Sequence, residues 1–207
     1  YGDSFYILDT RQFETNYKEL LQAFRNIYEK TYIAYSYKTN YTPRLCKIID
    51  ELGGFAEIVS GMEYEIAKKI GVEPNKIFFN GPYKDPLAVK ELLLSGGTVN
   101  IDSEYDLNIV KEIAINNPDI KLSVGIRCNF DIGDGVLSRF GFDVSNPEFE
   151  KALNLIRKIP NLKLNGFQCH FATRTINTWP NRVNGIIELI DKYIDEPPKF
   201  ISLGGGI

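Results

Sequence analysis

Cysteine is scarce in this chain, and the few residues present lack pattern. Cys46, Cys128 and Cys169 are odd in number and contain no C-x-x-C spacing. That excludes a disulfide framework and a zinc site, and is the usage expected of reduced thiols in a cytoplasmic setting. In that compartment the Asn40-Tyr41-Thr42 sequon is a chance match. An excess of charge of one sign is missing too: 24 Lys and Arg face 27 Asp and Glu, a net charge of -3. Such a balance offers no footprint for nucleic acid or an anionic membrane. No apolar run approaches the roughly 20 residues that span a bilayer, and no secretory n- and h-region opens the chain. The G-x-G-x-x-G turn of dinucleotide-binding folds does not follow the first candidate strand. Neither a linker, a low-complexity tract nor a composition break divides the 207 residues, so a single domain is expected. The chain starts at Tyr1 rather than Met, which leads us to expect a missing natural N-terminus.

What the sequence does contain is alternation. Phe13, Tyr17, Leu20, Leu21, Phe24 and Ile27 return every three or four residues and predict a helix over 12–30. Short apolar runs then alternate with amphipathic segments, giving candidate strands at 33–37, 56–59, 76–79, 98–101, 121–128, 163–171 and 199–203. Thr42-Pro43, Asp85-Pro86 and Asn146-Pro147 each place a capping side chain before a proline at a helix start, and Ser60-Gly61-Met62-Glu63 reads as a capping box. Strict βα alternation implies a parallel sheet with right-handed crossovers. The strands are less uniformly apolar than those of an open sheet buried on both faces. The expectation is therefore a (β/α)8 TIM-like barrel, incomplete, with about seven of its eight strands present.

The strand ends carry the chemistry. Ile33–Asn40 closes an apolar run on Lys38, and alternation sets Ala34, Ser36 and Lys38 on one face with Tyr35 and Tyr37 on the other. An amine on that narrow face is expected to be partly desolvated and suited to attack a carbonyl. By the same alternation Asp102, Arg127 and His170 end three further strands, and in a barrel all four would meet at the C-terminal rim. Gly204-Gly205-Gly206 follows the last candidate strand directly, where backbone N–H groups can face an anion. Thr173 and Arg174 can add a hydroxyl and a charge to it. His170, the only histidine, can stack on a flat ring or serve as a hydrogen-bonded structural residue.

Taken in order, Tyr35-Ser36-Tyr37-Lys38-Thr39-Asn40, Ala56-Glu57-Ile58-Val59-Ser60-Gly61-Met62-Glu63, Ile101-Asp102-Ser103-Glu104, Ile126-Arg127-Cys128-Asn129, Ser138-Arg139-Phe140-Gly141, Cys169-His170-Phe171 and Leu203-Gly204-Gly205-Gly206 resemble the barrel domain of the fold-type III pyridoxal-phosphate decarboxylases, the ornithine/diaminopimelate/arginine group. The resemblance implies that Lys38 holds pyridoxal 5'-phosphate as a Schiff base, that His170 stacks on its ring, and that Gly204, Gly205, Gly206 and Thr173 bind its phosphate. It also implies a place near the lysine for Glu57 and at the rim for Arg127, and decarboxylation of a small amino acid in a homodimeric parent.

Three departures from the family pattern stand out. Glu57 replaces the usual Asp, Phe171-Ala172-Thr173-Arg174 replaces a small Gly-Ser after the histidine, and the sequence given stops at Ile207. Family members continue into an eighth strand, whose acid meets the pyridine nitrogen, and into a C-terminal β-domain. Residues 1–207 are thus expected to be the pyridoxal-phosphate-binding barrel domain without those parts, a fragment inactive by itself. Two other readings stay open: an amino-acid racemase or epimerase on the same barrel, and a non-catalytic relative that binds cofactor or a partner protein. Racemases of this barrel carry a Lys-Ala-Asp-Ala-Tyr-Gly context that Lys38-Thr39-Asn40-Tyr41 does not match.

Overall fold

In the computed structural model, which describes residues 2–136 and 138–206, helices and strands alternate along the whole chain. The order is α1 (Thr10–Arg25), β1 (Ala34–Ser36), α2 (Pro43–Glu51), β2 (Phe55–Ile58), α3 (Gly61–Ile70), β3 (Ile77–Phe79), α4 (Pro86–Leu94), β4 (Thr98–Ile101), α5 (Glu104–Asn116), β5 (Leu122–Asn129), β6 (Phe142–Asp143), α6 (Pro147–Lys158), β7 (Leu162–Gln168), α7 (Trp179–Tyr193) and β8 (Phe200–Ser202). Seven strands pair in the order β1-β2-β3-β4-β5-β7-β8, every pair parallel, and the two-residue β6 pairs with β5 off this path. The sheet curls like an incomplete (β/α)8 barrel. Among the described residues β1 and β8 have one strand neighbour each, so the wall is open between them.

Local chemistry accounts for most of the boundaries. Ser60 accepts from Glu63 N–H at 3.3 Å, and Glu63 reaches back to Val59 N–H at 2.8 Å, one residue earlier than the simplest capping box would have it. Asp85 caps Ala88 N–H at 2.9 Å. Proline opens α2, α4 and α6 as the sequence suggests, but Thr42 and Asn146 give no side-chain cap. Asn40 instead accepts from the Thr42 N–H at 3.0 Å. The first helix also stops at Arg25 rather than Lys30. Ile27 and Tyr28 find no core to bury against, and Arg25 Nε bonds the Thr31 carbonyl at 2.9 Å, holding a turn.

The two faces of the sheet divide the labour. Ala56, Ile58, Ile77, Phe79, Val99, Ile101, Val124 and Ile126 are buried in the core shared with the helices. Tyr37 packs outward beside Cys46 of α2, and Tyr35 meets Phe13 of α1 edge-on at 5.8 Å. The concave face is aromatic at its floor, where Phe78 lies 5.7 Å from Phe55 and 4.9 Å from Phe200. Gly125 makes room there, since a Cβ would stand 2.7 Å from the Phe200 ring. Above that floor the face is polar and leads to the strand ends.

Candidate active site

Lys38 emerges from the turn after β1, where Thr39 bonds the Ser36 carbonyl through both its N–H at 3.2 Å and its hydroxyl at 2.7 Å. Its amine stands 3.8 Å from Glu57 Oε1, with 46% of the side chain exposed. The lysine is thus paired and half open to solvent, less desolvated than a narrow strand face suggests. The longer Glu57 side chain is what reaches it. Glu57 is fixed in turn by Asn80 Nδ2 at 3.2 Å, and Asn80 Oδ1 accepts from Asn100 Nδ2 at 2.6 Å. This line of carboxamides crosses β2, β3 and β4 and holds the carboxylate under the amine.

Arg127 is fixed on both sides. Its Nη1 donates to Asp102 Oδ2 at 2.7 Å and its Nη2 to the His170 carbonyl at 3.2 Å, while Nε is buried without an acceptor. Asp102 Oδ1 accepts the Gly141 N–H at 3.1 Å, and Phe140 stacks at 5.1 Å from the guanidinium. Gly141 has φ +81°, and a Cβ there would meet the Arg127 carbonyl at 2.9 Å, so only glycine closes this contact. Behind Asp102 lies a buried pair. Lys84 Nζ donates to Asp106 and, at 2.6 Å, to the Gly81 carbonyl, and Asp106 Oδ2 also accepts the Asp102 N–H at 3.0 Å. Burial pushes the Lys84 amine down and the Asp106 carboxyl up from their ordinary values.

His170 follows β7 and is held neutral. Burial, with the positive charges of Lys38 and Arg127 behind it, lowers its pKa to about 4. Gly205 N–H donates to Nδ1 at 3.2 Å, so the ring proton sits on Nε2. Gly204 (φ +75°) and Gly206 (φ +94°) take left-handed backbone, and a Cβ on Gly204 would stand 2.7 Å from His170 Nδ1. Thr173 lies on the adjoining loop, where its hydroxyl beside Asp134 holds that half-buried carboxyl below its usual range. The exposed Arg174 runs alongside Gly206.

Lys38 and Glu57 thus form one contact group. Arg127, Asp102 and His170 form a second that shares its histidine with the glycine loop, and the charges of Lys38, Glu57 and Arg127 all act on that histidine. Sequence reasoning missed Asn80, Lys84, Asp106 and Arg182. Asn80 had a signal, since it directly follows an apolar strand as Lys38 and Asp102 do. Lys84, Asp106 and Arg182 look in sequence like solvated helix or loop charges, and nothing local marks them as buried.

Residues 12–207 match the family model "Pyridoxal-dependent decarboxylase, pyridoxal binding domain". A diaminopimelate decarboxylase of Aquifex aeolicus is 30% identical over 204 residues, covering 92% of this chain and 48% of the relative. The crystal structure of diaminopimelate decarboxylase from M. jannaschii in complex with L-lysine superposes with TM-score 0.79 at 25% identity, over 88% of this chain and 45% of that one. An arginine decarboxylase from Paramecium bursaria Chlorella virus shares the fold, with TM-score 0.74 at 18% identity over 94% of this chain and 53% of that one. The chain spans about half the length of the curated relatives it matches.

Proposed function

The chain belongs to the pyridoxal-dependent decarboxylases, to which residues 12–207 contribute the pyridoxal-binding domain, and on that premise we propose that the protein it is part of removes the carboxyl group of a small amino acid as carbon dioxide. The substrate class we assign is that of diaminopimelate, ornithine and arginine. The reading is supported chiefly by one observation: an amine, a neutral imidazole and a loop of left-handed glycines come from separate strand ends of a single curled sheet.

The residues present fit pyridoxal phosphate. Left-handed Gly204 and Gly206 leave backbone that a Cβ would crowd at His170 or Arg174, and Arg127 keeps one buried N–H without an acceptor. When bound, the cofactor supplies an electron sink for the pair released as the carboxylate leaves. In our reading Lys38 offers its amine as the covalent anchor, and Glu57, braced by Asn80, takes or returns a proton at that amine. His170 would face the cofactor ring, and as an uncharged imidazole it would add no positive charge beside it. Arg127, fixed by Asp102 and the His170 carbonyl, holds the rim in place. A homodimer rests on the family resemblance alone, while a cytoplasmic setting is also supported by three buried free cysteines.

The test is release of labelled carbon dioxide from carboxyl-labelled diaminopimelate, ornithine and arginine by the complete gene product. We expect release from at least one of the three, and little or none from residues 1–207 alone. A product that binds the cofactor and inverts its substrate without releasing carbon dioxide would contradict the proposal.

A further inference from the structure

The first turn of α7 holds three loops by their backbone carbonyls. Asn181 Nδ2 donates to Ile132 at 2.8 Å, Arg182 Nη1 donates to Gly205 at 3.3 Å, and Arg182 Nη2 donates to Thr173. Arg182 is fully buried, its guanidinium 4.8 Å from the Trp179 ring and 5.6 Å from Phe171. Its Nε has no acceptor, and among the described residues no carboxylate lies within ion-pair distance. Its charge is felt by the Asp134 carboxyl but forms no direct ion pair, and a buried charge so loosely balanced is suited to an anion not supplied by the protein.

The geometry of the pinned peptides says where that anion would sit. A peptide group is planar and trans, so a carbonyl turned toward Arg182 turns the next N–H the opposite way. The N–H groups of Gly206 and Arg174 therefore both face away from the guanidinium, and neither has an acceptor among the described residues. These two residues adjoin, since a Cβ on Gly206 would lie 3.2 Å from Arg174 Cγ. Two free N–H groups on adjoining loops, backed by a positive charge, can serve an anion together as the successive N–H groups of a single turn do.

We propose that Arg182 is a positioning residue that sets these two donors and makes the site select a phosphorylated cofactor over its dephosphorylated form. Arg182 does not touch the ligand; it acts through the Gly205 and Thr173 carbonyls and through its charge. The proposal rests on the cofactor reading above and adds to it a residue outside the glycine loop.

The experiment is equilibrium binding of pyridoxal 5'-phosphate and of pyridoxal to the 207-residue chain, as wild type, Arg182→Gln and Arg182→Lys. The wild type should prefer the phosphorylated form. Arg182→Gln should lose roughly tenfold to a hundredfold of affinity for it, as expected when two oriented donors to an ion are misplaced, while its affinity for pyridoxal holds. Arg182→Lys keeps the charge but not the fork and should fall between. Equal losses for both ligands, or no loss for either, would reduce Arg182 to ordinary structural support and overturn the proposal. Fluorescence of Trp179, the only tryptophan, and a thermal melt identify a misfolded variant. If Arg182→Gln fails to fold, an unchanged preference in Arg182→Lys would overturn the proposal. A wild type that binds neither form removes the cofactor reading itself, and this inference with it.

Discussion

His170 is the residue whose environment has the clearest measurable consequence. Its pKa falls from 6.5 to about 4, mainly through burial. Between those values the unfolded chain binds a proton that the folded chain refuses, so stability is full above pH 6.5 and drains away as pH falls toward 4. The ceiling is roughly 3 kcal/mol, at about 1.4 kcal/mol per unit, and the partial exposure of the ring reduces it. Denaturant melts across this window should show wild type losing more stability on acidification than His170→Gln, and parallel pH profiles would contradict this. Being the only histidine, His170 leaves no other imidazole to confuse the comparison. It was legible in sequence for the same reason as Lys38: a strand's period of two delivers a side chain to a predictable end and face. Arg182 was not, because its burial depends on Trp179, Phe171 and two loops that the sequence does not bring together locally.

Among the elements, strands and helices were readable to within a few residues wherever a local rule governed them, as with the prolines opening α2, α4 and α6. Local rules failed where a partner decided the outcome. The two-residue β6 exists because Cys128 and Asn129 of β5 extend past their neighbours and offer it a register, which no periodicity in 142–143 announces. Lys84, just before α4, and Asp106, in the first turn of α5, pair with each other and carry the backbone of Asp102, hence the height of Arg127. Lys84→Met strands a buried carboxylate and should destabilise the fold by roughly 3–5 kcal/mol. Lys84→Met with Asp106→Asn keeps an acceptor for the Asp102 N–H without the charge, and should recover part of that loss. A denaturant melt in which the single change costs less than the double would contradict the assignment.

At the scale of the molecule, one curled parallel sheet gathers residues far apart in sequence into one site. Lys38, His170 and Gly205 come from loops after three different strands and Arg127 from the C-terminal part of a fourth, and the charges of Lys38 and Arg127 both depress the same imidazole. The architecture was legible from strict alternation, and the register shift between Val124 and Gly125, which leaves Asn165 of β7 without a partner in β5, was not. The central claim is that this assembly holds pyridoxal phosphate through Lys38. Its most direct test is to mix the 207-residue chain with the cofactor, reduce with borohydride and map the labelled peptide. The account predicts a single label on Lys38 that disappears in Lys38→Ala. A label spread over surface lysines, or one that survives that substitution, would contradict it.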